Sequence, residues 1–494
     1  MGAWFGLKSL LRDCADVPSV LDVWLYGLNS DSRSVRPGDA FIALRGGEGD
    51  AWRHVPEAIE NGAVAVLLES EAAERCFEHD GVLVVPVPDL AVHQAILADR
   101  FYGMPSQSLA VIGVTGTNGK SSVTAFLSQM LEQAGIPTAV IGTLGYGFAG
   151  RVEPASHTTP DVVRLHRLLA DYRDRGAGAV VMEVSSHGLS QGRVRRVSFR
   201  GALYTNLTQE HLDYHGSMEE YAGAKELLFT EYYPDFAVIN LDDAFGVRLL
   251  DKLDDSVELL RYSVSGKECE LYVLDYQADH DGLVARVMTP VGELKLHTGL
   301  LGRFNLENLL AALGGAVALG STAEQLEAVA PKLLPPPGRL EQWLAKDGRR
   351  VVIDYAHTAD ALETVLQALR PHVKGQLWCV FGCGGNRDRG KRPVMGAVAE
   401  RLSDAVVVTD DNPRDEDPET IVEEILAGMD EPERVCVEHD RRKAIEKALA
   451  SVSPDDLVLV AGKGHETTQE RRGEKIPCSD VEMVKDLLDG GGAS

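Results

Sequence analysis

A glycine-rich turn, a lysine and two hydroxyls stand together at "GVTGTNGKSS", residues 113–122. Glycines let backbone N–H groups close around phosphate oxygens, and a helix opening at Lys120 adds favourable partial charge. Lys120 would neutralise the β/γ-phosphates of a nucleotide, and Ser121 offers a hydroxyl to Mg²⁺. Gly116, Thr117, Asn118, Gly119, Lys120, Ser121 and Ser122 are the candidate ATP loop. The glycines fall at 113, 116 and 119; the general Walker pattern needs one at 114, where Val stands. That spacing disfavours a P-loop motor or kinase. Glu183, in "VVMEVSSHG", is the candidate acidic partner at a strand's C-terminal end, where α/β sheets bind ligands.

A second segment has unusual chemistry. "VVVTDDNPRDEDP" (406–418) runs from a strand into five acids with one arginine among them. Taken alone it reads as a solvated acidic loop. Pro413 fixes the backbone immediately before Arg414, and Asp415, Glu416 and Asp417 are expected to stay mostly solvated.

These residues need a scaffold, and the sequence predicts one. Short β-rich runs alternate with helical patterns, the signature of parallel α/β sheets. Strands are expected in 109–116, 178–186, 350–357, 376–385 and 456–464, with 39–46 and 62–69 in a smaller N-terminal part. After Lys120, apolar residues at 123, 126, 127, 130, 131 and 134 recur at helical steps, and Gly135 with Pro137 ends the helix. Seams at "FYGMPSQS" (101–108) and "KLLPPPGRLEQW" (332–343) divide the 494 residues into three domains, 1–105, 106–334 and 335–494.

A formal net charge of −26 argues against general nucleic-acid binding. No run of about 18 apolar residues occurs, so no segment is expected to be embedded in a membrane. The N-terminus lacks a signal-peptide pattern. Seven scattered cysteines read as reduced thiols, giving a cytoplasmic expectation.

The motifs "GVTGTNGKSS", "MEVSSHGLSQGR", "TNLTQEHLDYHGSMEEYAGAKELLF", "GRFNLENLLAAL", "DYAHTADAL", "FGCGGNRDRGKRP", "DDNPR" and "AGKGHE" occur in that order. Together with "SDSRSVRPGDAFIALRG" near the start, the set resembles the Mur ligases almost end to end. The resemblance implies a small UDP-binding domain of mixed α/β type, a central P-loop ATPase domain with a mainly parallel sheet, and a Rossmann-like C-terminal domain. It implies ATP-dependent amide formation in peptidoglycan synthesis: acyl phosphate, amine attack, tetrahedral intermediate, loss of phosphate. It points to the family member that extends UDP-N-acetylmuramoyl-L-alanyl-D-glutamate.

Residue by residue, the resemblance gives Ser121 and Glu183 to one Mg²⁺ and His211 to a second, with weaker supporting roles for Asn206 and Asp213. It makes Lys225 the lysine that CO₂ converts to a carbamate, an anionic oxygen ligand for metal. Asn305, Asn308, Arg339, Asp354 and His357 match ATP-side positions, and Ala359 stands where the usual motif carries Pro. Ser30, Ser32, Gly47, Glu48, Gly49, His157, Thr158, Thr159, Ser185, Gln191 and Arg193 match contacts to the UDP-sugar dipeptide.

The family divides mainly by the amino acid added, meso-diaminopimelate or L-lysine. The first carries a second amino-acid head. Arg414 suits its carboxylate as a bidentate clamp, with Asp411, Asn412 and Pro413 beside it. Arg387 matches a second carboxylate contact, and Gly462 and Glu466 match the amino-group side. Lysine is expected to leave a desolvated guanidinium unpaired, a cost of about 3–5 kcal/mol. Rejection of about 10⁴–10⁵ is then expected. Diaminopimelate is therefore the expected acceptor and lysine the alternative. A folylpolyglutamate synthase and a non-catalytic nucleotide-binding relative are the further alternatives. Partners are expected to be small molecules only, and a monomer is favoured.

Overall fold

The computed structural model describes residues 4–45, 51–72, 74–148, 151–155 and 157–490. The chain forms two compact units. The first is Met1–Lys120 with Gly135–Ile239 and Asp243–Leu259, and the second is Ser121–Ala134 with Asn240–Asp242 and Leu260–Ser494.

The first unit begins with a five-stranded sheet, β1 (Gly27–Asn29), β2 (Asp39–Ala43), β3 (Ala65–Ser70), β4 (Phe77–His79) and β5 (Val82–Pro88), in the order β1-β2-β3-β5-β4. Its pairs are parallel except β4 with β5. Helix α1 (Leu90–Phe101) contributes Leu90, Leu97 and Phe101 to a core with Leu28, Ile42, Leu67 and Val85.

The same unit then builds the sheet that carries the phosphate loop. Its strands are β6 (Ala110–Thr115), β7 (Thr138–Gly142), β8 (Gly145–Phe148), β9 (Arg151–Glu153), β10 (Ala179–Glu183), β11 (Gly201–Tyr204) and β12 (Phe236–Asn240), in the order β9-β8-β7-β10-β6-β11-β12. From β7 to β12 every pair is parallel. The central strands are buried on both faces, which is why "AVIGVT" and "AVVME" read as unbroken apolar runs. Helix α2 (Lys120–Gln133) leaves the loop as the periodicity predicts. Helices α3 (Val162–Asp174) and α4 (Met218–Thr230) start on Asp161 and Ser217, whose side chains accept from first-turn N–H groups.

In the second unit, β13 (Leu271–Asp279), β14 (Gly282–Thr289) and β15 (Gly292–Thr298) form an antiparallel meander that the sequence reading did not separate. Helix α5 (Arg303–Ala318) follows. Gln129 of α2 exchanges two 2.9 Å hydrogen bonds with the backbone of Leu334, anchoring the start of the triple-proline seam.

The last sheet has β16 (Glu341–Leu344), β17 (Arg350–Asp354), β18 (Leu377–Phe381), β19 (Ala405–Val408), β20 (Cys436–Val437) and β21 (Leu457–Ala461), in the order β16-β17-β21-β18-β19-β20. All pairs are parallel except β16 with β17. The expected motifs therefore leave the same edge of one sheet. "DYAH" follows β17, "GCGGNR" β18, "TDDNPR" β19 and "GKGHE" β21. A polar hairpin, β22 (Thr468–Arg471) and β23 (Glu474–Pro477), closes the series. Among the described residues no helix is long and apolar enough to cross a membrane.

One expectation about the acidic loop fails. Glu416 is not mostly solvated, because its carboxylate meets Arg392 at 2.9 and 3.0 Å, and the Arg392 side chain is fully buried. Glu424 shares that guanidinium at 2.6 Å. Asp417 and Asp415 remain exposed, though Asp417 caps the helix Pro418–Leu426. Glu416→Ala leaves Arg392 with one carboxylate and is expected to cost about 2 kcal/mol. Denaturant unfolding measures this; a change within error of zero would mean that the pair contributes nothing.

Candidate active site

Strand β6 delivers the phosphate loop, and its neighbours brace it. Thr117 N donates to Asn206 O at 2.8 Å, and Asn118 N donates to the Asn206 side-chain oxygen at 3.0 Å. Thr205 Oγ1 donates to Asn118 O at 2.6 Å. Gly116 has φ +148°, and a Cβ there would lie 1.9 Å from Thr205 Oγ1, so no side chain fits. Asn206, given a supporting role from sequence, is a loop brace at the end of β11.

Lys120 Nζ donates to Gly116 O at 2.9 Å and Thr117 O at 2.7 Å. Lys225 Nζ donates to the same Gly116 O at 2.8 Å and lies 4.3 Å from the Tyr221 ring centroid. Lys225 is 1% exposed. Burial first, and the Lys120 charge second, push its pKa well below the usual lysine value. The depressed pKa favours the neutral amine over the ammonium.

Glu183 ends β10 in register with Val114 of β6, and is buried. Its Oε1 accepts from Thr143 N at 2.9 Å and its Oε2 from Thr143 Oγ1 at 3.2 Å. Gly142 is obligatory here, since a Cβ would fall 2.2 Å from Glu183 Oε1. His211 has φ 56° and stands edge-on to His187, with ring centroids 4.9 Å apart. His187 also stacks on Tyr214 at 4.1 Å. Sequence reasoning missed His187, whose motif neighbours drew the attention. Asp213 lies on the turn of helix Leu212–His215.

The residues expected around the sugar and diphosphate form one connected group. Thr158 Oγ1 lies 3.0 Å from Thr143 Oγ1, and Thr159 Oγ1 donates to Glu183 O at 3.0 Å. Thr159 Oγ1 is also 3.1 Å from Ser185 Oγ, and Arg193 donates to Thr159 O at 2.8 Å and to Gln191 Oε1 at 2.9 Å. Tyr146 donates to His157 O. Ser30 donates to Asp161 at 3.0 Å, tying the N-terminal sheet to the cap of α3. Ser32 is turned inward onto Glu57 at 2.5 Å. Gly47, Glu48 and Gly49 lie outside the described residues.

In the second unit, Ser121 and Ser122 open α2. Asn305 donates to Leu301 O at 2.9 Å and receives Asn308 at 3.4 Å, both buried in α5. Asp354 accepts from Leu340 N at 2.9 Å and Ala356 N at 2.8 Å, and burial raises its pKa against the pull of Arg339. Arg339 lies over the Tyr355 ring at 4.9 Å. His357 is exposed, its Nδ1 2.9 Å from Tyr355 O. Thr358 caps the helix Ala359–Leu369, so the turn closes without the family's proline.

The loops after β19 and β21 converge on a buried lysine that sequence reasoning missed. Lys463 Nζ is fully buried, 3.3 Å from Asn412 Oδ1, 3.2 Å from Glu466 Oε2 and 3.6 Å from Asp411 Oδ1. Asn412 also donates to Glu466 at 3.1 Å. Gly462, with φ +114°, lies beside Asp411. Arg441 clamps the two loops from behind, donating to Asp480, Asp410 O and Ala461 O. Arg414 and Arg387 flank Gly384; a Cβ there would lie 3.0 Å from Arg414 Nη1 and 3.7 Å from Arg387 Cγ. Arg387 is exposed. Arg414 itself takes the left-handed φ of 53° after Pro413.

The expectation that lysine would leave the Arg414 guanidinium unpaired is corrected, because the protein itself supplies partners. Its Nε donates to Glu470 Oε2 at 3.1 Å and its Nη1 to Gly385 O at 2.9 Å. Glu470 lies on β22, in a hairpin that no motif flagged.

Three family models match the chain: the Mur ligase family catalytic domain over 25–102, the Mur ligase middle domain over 114–316 and the Mur ligase glutamate ligase domain over 338–464. The chain belongs to the Mur ligase family. Among its relatives, the UDP-N-acetylmuramoyl-L-alanyl-D-glutamate--2,6-diaminopimelate ligase of Ectopseudomonas mendocina is 50% identical over 466 residues, covering 94% of this chain and 95% of that protein. The enzyme of the same name from Vibrio vulnificus is 43% identical over 490 residues, covering 98% of each. A solved structure of a ligase of that name matches with TM-score 0.75 and 36% identity over the full length of both chains. A MurF ligase from Thermotoga maritima, solved with ADP, shares the fold alone, at 19% identity, TM-score 0.63 and coverage of 96% of this chain and 99% of that one.

Proposed function

We propose that the protein is an ATP-dependent ligase that joins meso-diaminopimelate to the D-glutamate carboxylate of UDP-N-acetylmuramoyl-L-alanyl-D-glutamate. The observation that carries this reading is the convergence of Asp411, Asn412 and Glu466 on Lys463 at the ends of β19 and β21, with Arg414 following in the same loop. The names borne by the 43–50% identical relatives support it. Its organisation is proposed as three domains, 1–105, 106–334 and 335–494. A cytoplasmic location follows from ATP and a UDP-linked substrate.

A carboxylate becomes an acylating group only when its oxygen is made a leaving group. The γ-phosphoryl of ATP does this by forming an acyl phosphate, and phosphate leaves after the amine attacks. Lys120 holds the nucleotide's phosphates, and the loop N–H groups position them. Thr158, Thr159, Ser185, Gln191 and Arg193 orient the sugar diphosphate and the dipeptide. Asn305, Asn308, Arg339, Asp354 and His357 serve the nucleotide. Asp411, Asn412, Pro413, Arg387, Arg414, Gly462 and Glu466 seat the acceptor amino acid.

No three His, Cys, Asp or Glu side chains among the described residues are clustered to hold a metal alone. That suits Mg²⁺, which takes one or two carboxylates and completes its shell with water and substrate phosphates. Ser121, Glu183, His211 and a carbamate on Lys225 are the proposed ligands. Mg²⁺, when bound, would neutralise charge on the transferred phosphoryl group.

The acceptor assignment is tested with Arg414→Ala in ligase assays on both amino acids. kcat/KM for diaminopimelate is expected to fall by about 10–10²-fold, the worth of hydrogen bonds to a charged group, while that for lysine holds. This is smaller than a lone guanidinium implies, because Glu470 already compensates Arg414. Retention of the wild-type preference would remove Arg414 from acceptor selection.

A further inference from the structure

The hairpin β22–β23 is stitched to the acceptor loop by backbone as well as side chain. Arg414 N donates to Glu470 O at 2.9 Å, and Arg472 N donates to Arg414 O at 2.7 Å. Glu470 N donates to Asn412 Oδ1 at 2.9 Å, and Gln469 Nε2 to Asp411 O at 2.6 Å. Arg414 and Arg471 form a parallel bridge. The Glu470 carboxylate is therefore held in place beside the clamp. Its side chain is 39% exposed and that of Arg414 is 21% exposed, which places the pair at the rim, within reach of an arriving ligand.

A guanidinium offers five N–H donors in a fixed plane. Glu470 takes the Nε edge and Gly385 O takes one Nη1 donor. What Glu470 presents to Arg414 is the same group that the far end of diaminopimelate carries.

We propose that Glu470 is a specificity-determining residue, an internal carboxylate that pairs with Arg414 and competes there with the distal carboxylate of the acceptor. The inference rests on the diaminopimelate reading of the site. Two effects follow. The carboxylate of diaminopimelate must share or displace Glu470, which weakens its binding. An acceptor without that carboxylate strands no charge, because Arg414 keeps Glu470. Glu470 thus narrows the gap between diaminopimelate and lysine.

Glu470→Gln removes the charge and keeps the side-chain length and the backbone bonds. With ATP and the UDP-dipeptide saturating, KM for diaminopimelate is expected to fall about two- to five-fold, the range for a partly exposed ion pair. kcat should not change, since Glu470 does not touch the reacting atoms. The ratio of kcat/KM for diaminopimelate to that for lysine should rise by at least the same factor. Glu470→Asp, which keeps the charge, should restore the wild-type ratio. Glu470→Ala must move KM in the same direction as the Gln variant, which guards against a purely steric effect. A rise in KM for diaminopimelate, or an unchanged ratio, overturns the proposal, because Glu470 would then hold the substrate ammonium or merely orient Arg414. Failure of the function reading is separate: wild-type protein would release no phosphate with either amino acid.

Discussion

Lys120→Met is expected to lower kcat/KM for ATP by about 10³-fold, the scale for removing one pre-positioned charge from a transferring phosphoryl group. The side chain keeps its length and loses only the ammonium. Two effects combine in that loss. The charge proposed to meet the β/γ-phosphates is gone, and so are the bonds from Nζ to Gly116 O and Thr117 O. Those bonds are internal to one loop, which Asn206 and Thr205 also brace, so the fold should survive with a nearly unchanged melting midpoint. Steady-state phosphate release at varied ATP measures the effect. A variant within ten-fold of wild type would show that the loop is not the nucleotide site.

The second large effect is expected at Lys225. Lys225→Arg keeps a cation and cannot form the carbamate, and Lys225→Met removes the nitrogen. Both are expected to lower kcat by about 10²-fold or more, as loss of a metal-binding oxygen anion from a phosphoryl-transfer site does. The sign of the pH effect follows from the depressed pKa. An ordinary lysine near 10.5 is almost wholly protonated at neutral pH and unreactive toward CO₂. Lys225, with its pKa lowered by burial and by Lys120, exposes the neutral amine at lower pH, so carbamylation should rise through that depressed pKa. Intact mass under CO₂, and its loss on purging, reads the modification directly. Wild-type activity should fall in CO₂-depleted buffer. An arginine variant as active as wild type would contradict a carbamate at this position.

What the sequence made legible, and what it hid, divides along physical lines. Parallel strands buried on both faces leave unbroken apolar runs, so β6, β10, β17, β18, β19 and β21 were visible within a few residues of their ends. The phosphate loop was visible because its glycines and Lys120 fall together in one short segment between a strand and a helix. Contacts between distant segments leave no such trace. The Lys463 cluster needs β19 and β21 to be brought within two strands of each other, which only the sheet order supplies. Glu416 reads as one acid in a charged run until the buried Arg392 is placed beneath it.

The hairpin β22–β23 was hidden by its polarity, since "TQERRGEKIP" carries no apolar face. One signal was present. Arg472 and Gly473 both have positive φ, 51° and 77°, as a two-residue hairpin turn requires, and a residue followed by Gly between short polar runs is the local mark of that turn. That hairpin brings Glu470 to Arg414, and with it a smaller expected contribution of Arg414 to selectivity, about 10–10² in place of the about 10⁴–10⁵ of an unpaired guanidinium.

The central claim is that ATP cleavage here serves the joining of diaminopimelate to a UDP-linked dipeptide. Phosphate release with ATP, Mg²⁺ and UDP-N-acetylmuramoyl-L-alanyl-D-glutamate, with meso-diaminopimelate or L-lysine added in turn, tests it most directly. Release that requires the UDP-dipeptide and is accelerated by diaminopimelate well above lysine is the predicted result. Equal kcat/KM for lysine, or release indifferent to the dipeptide, would contradict it.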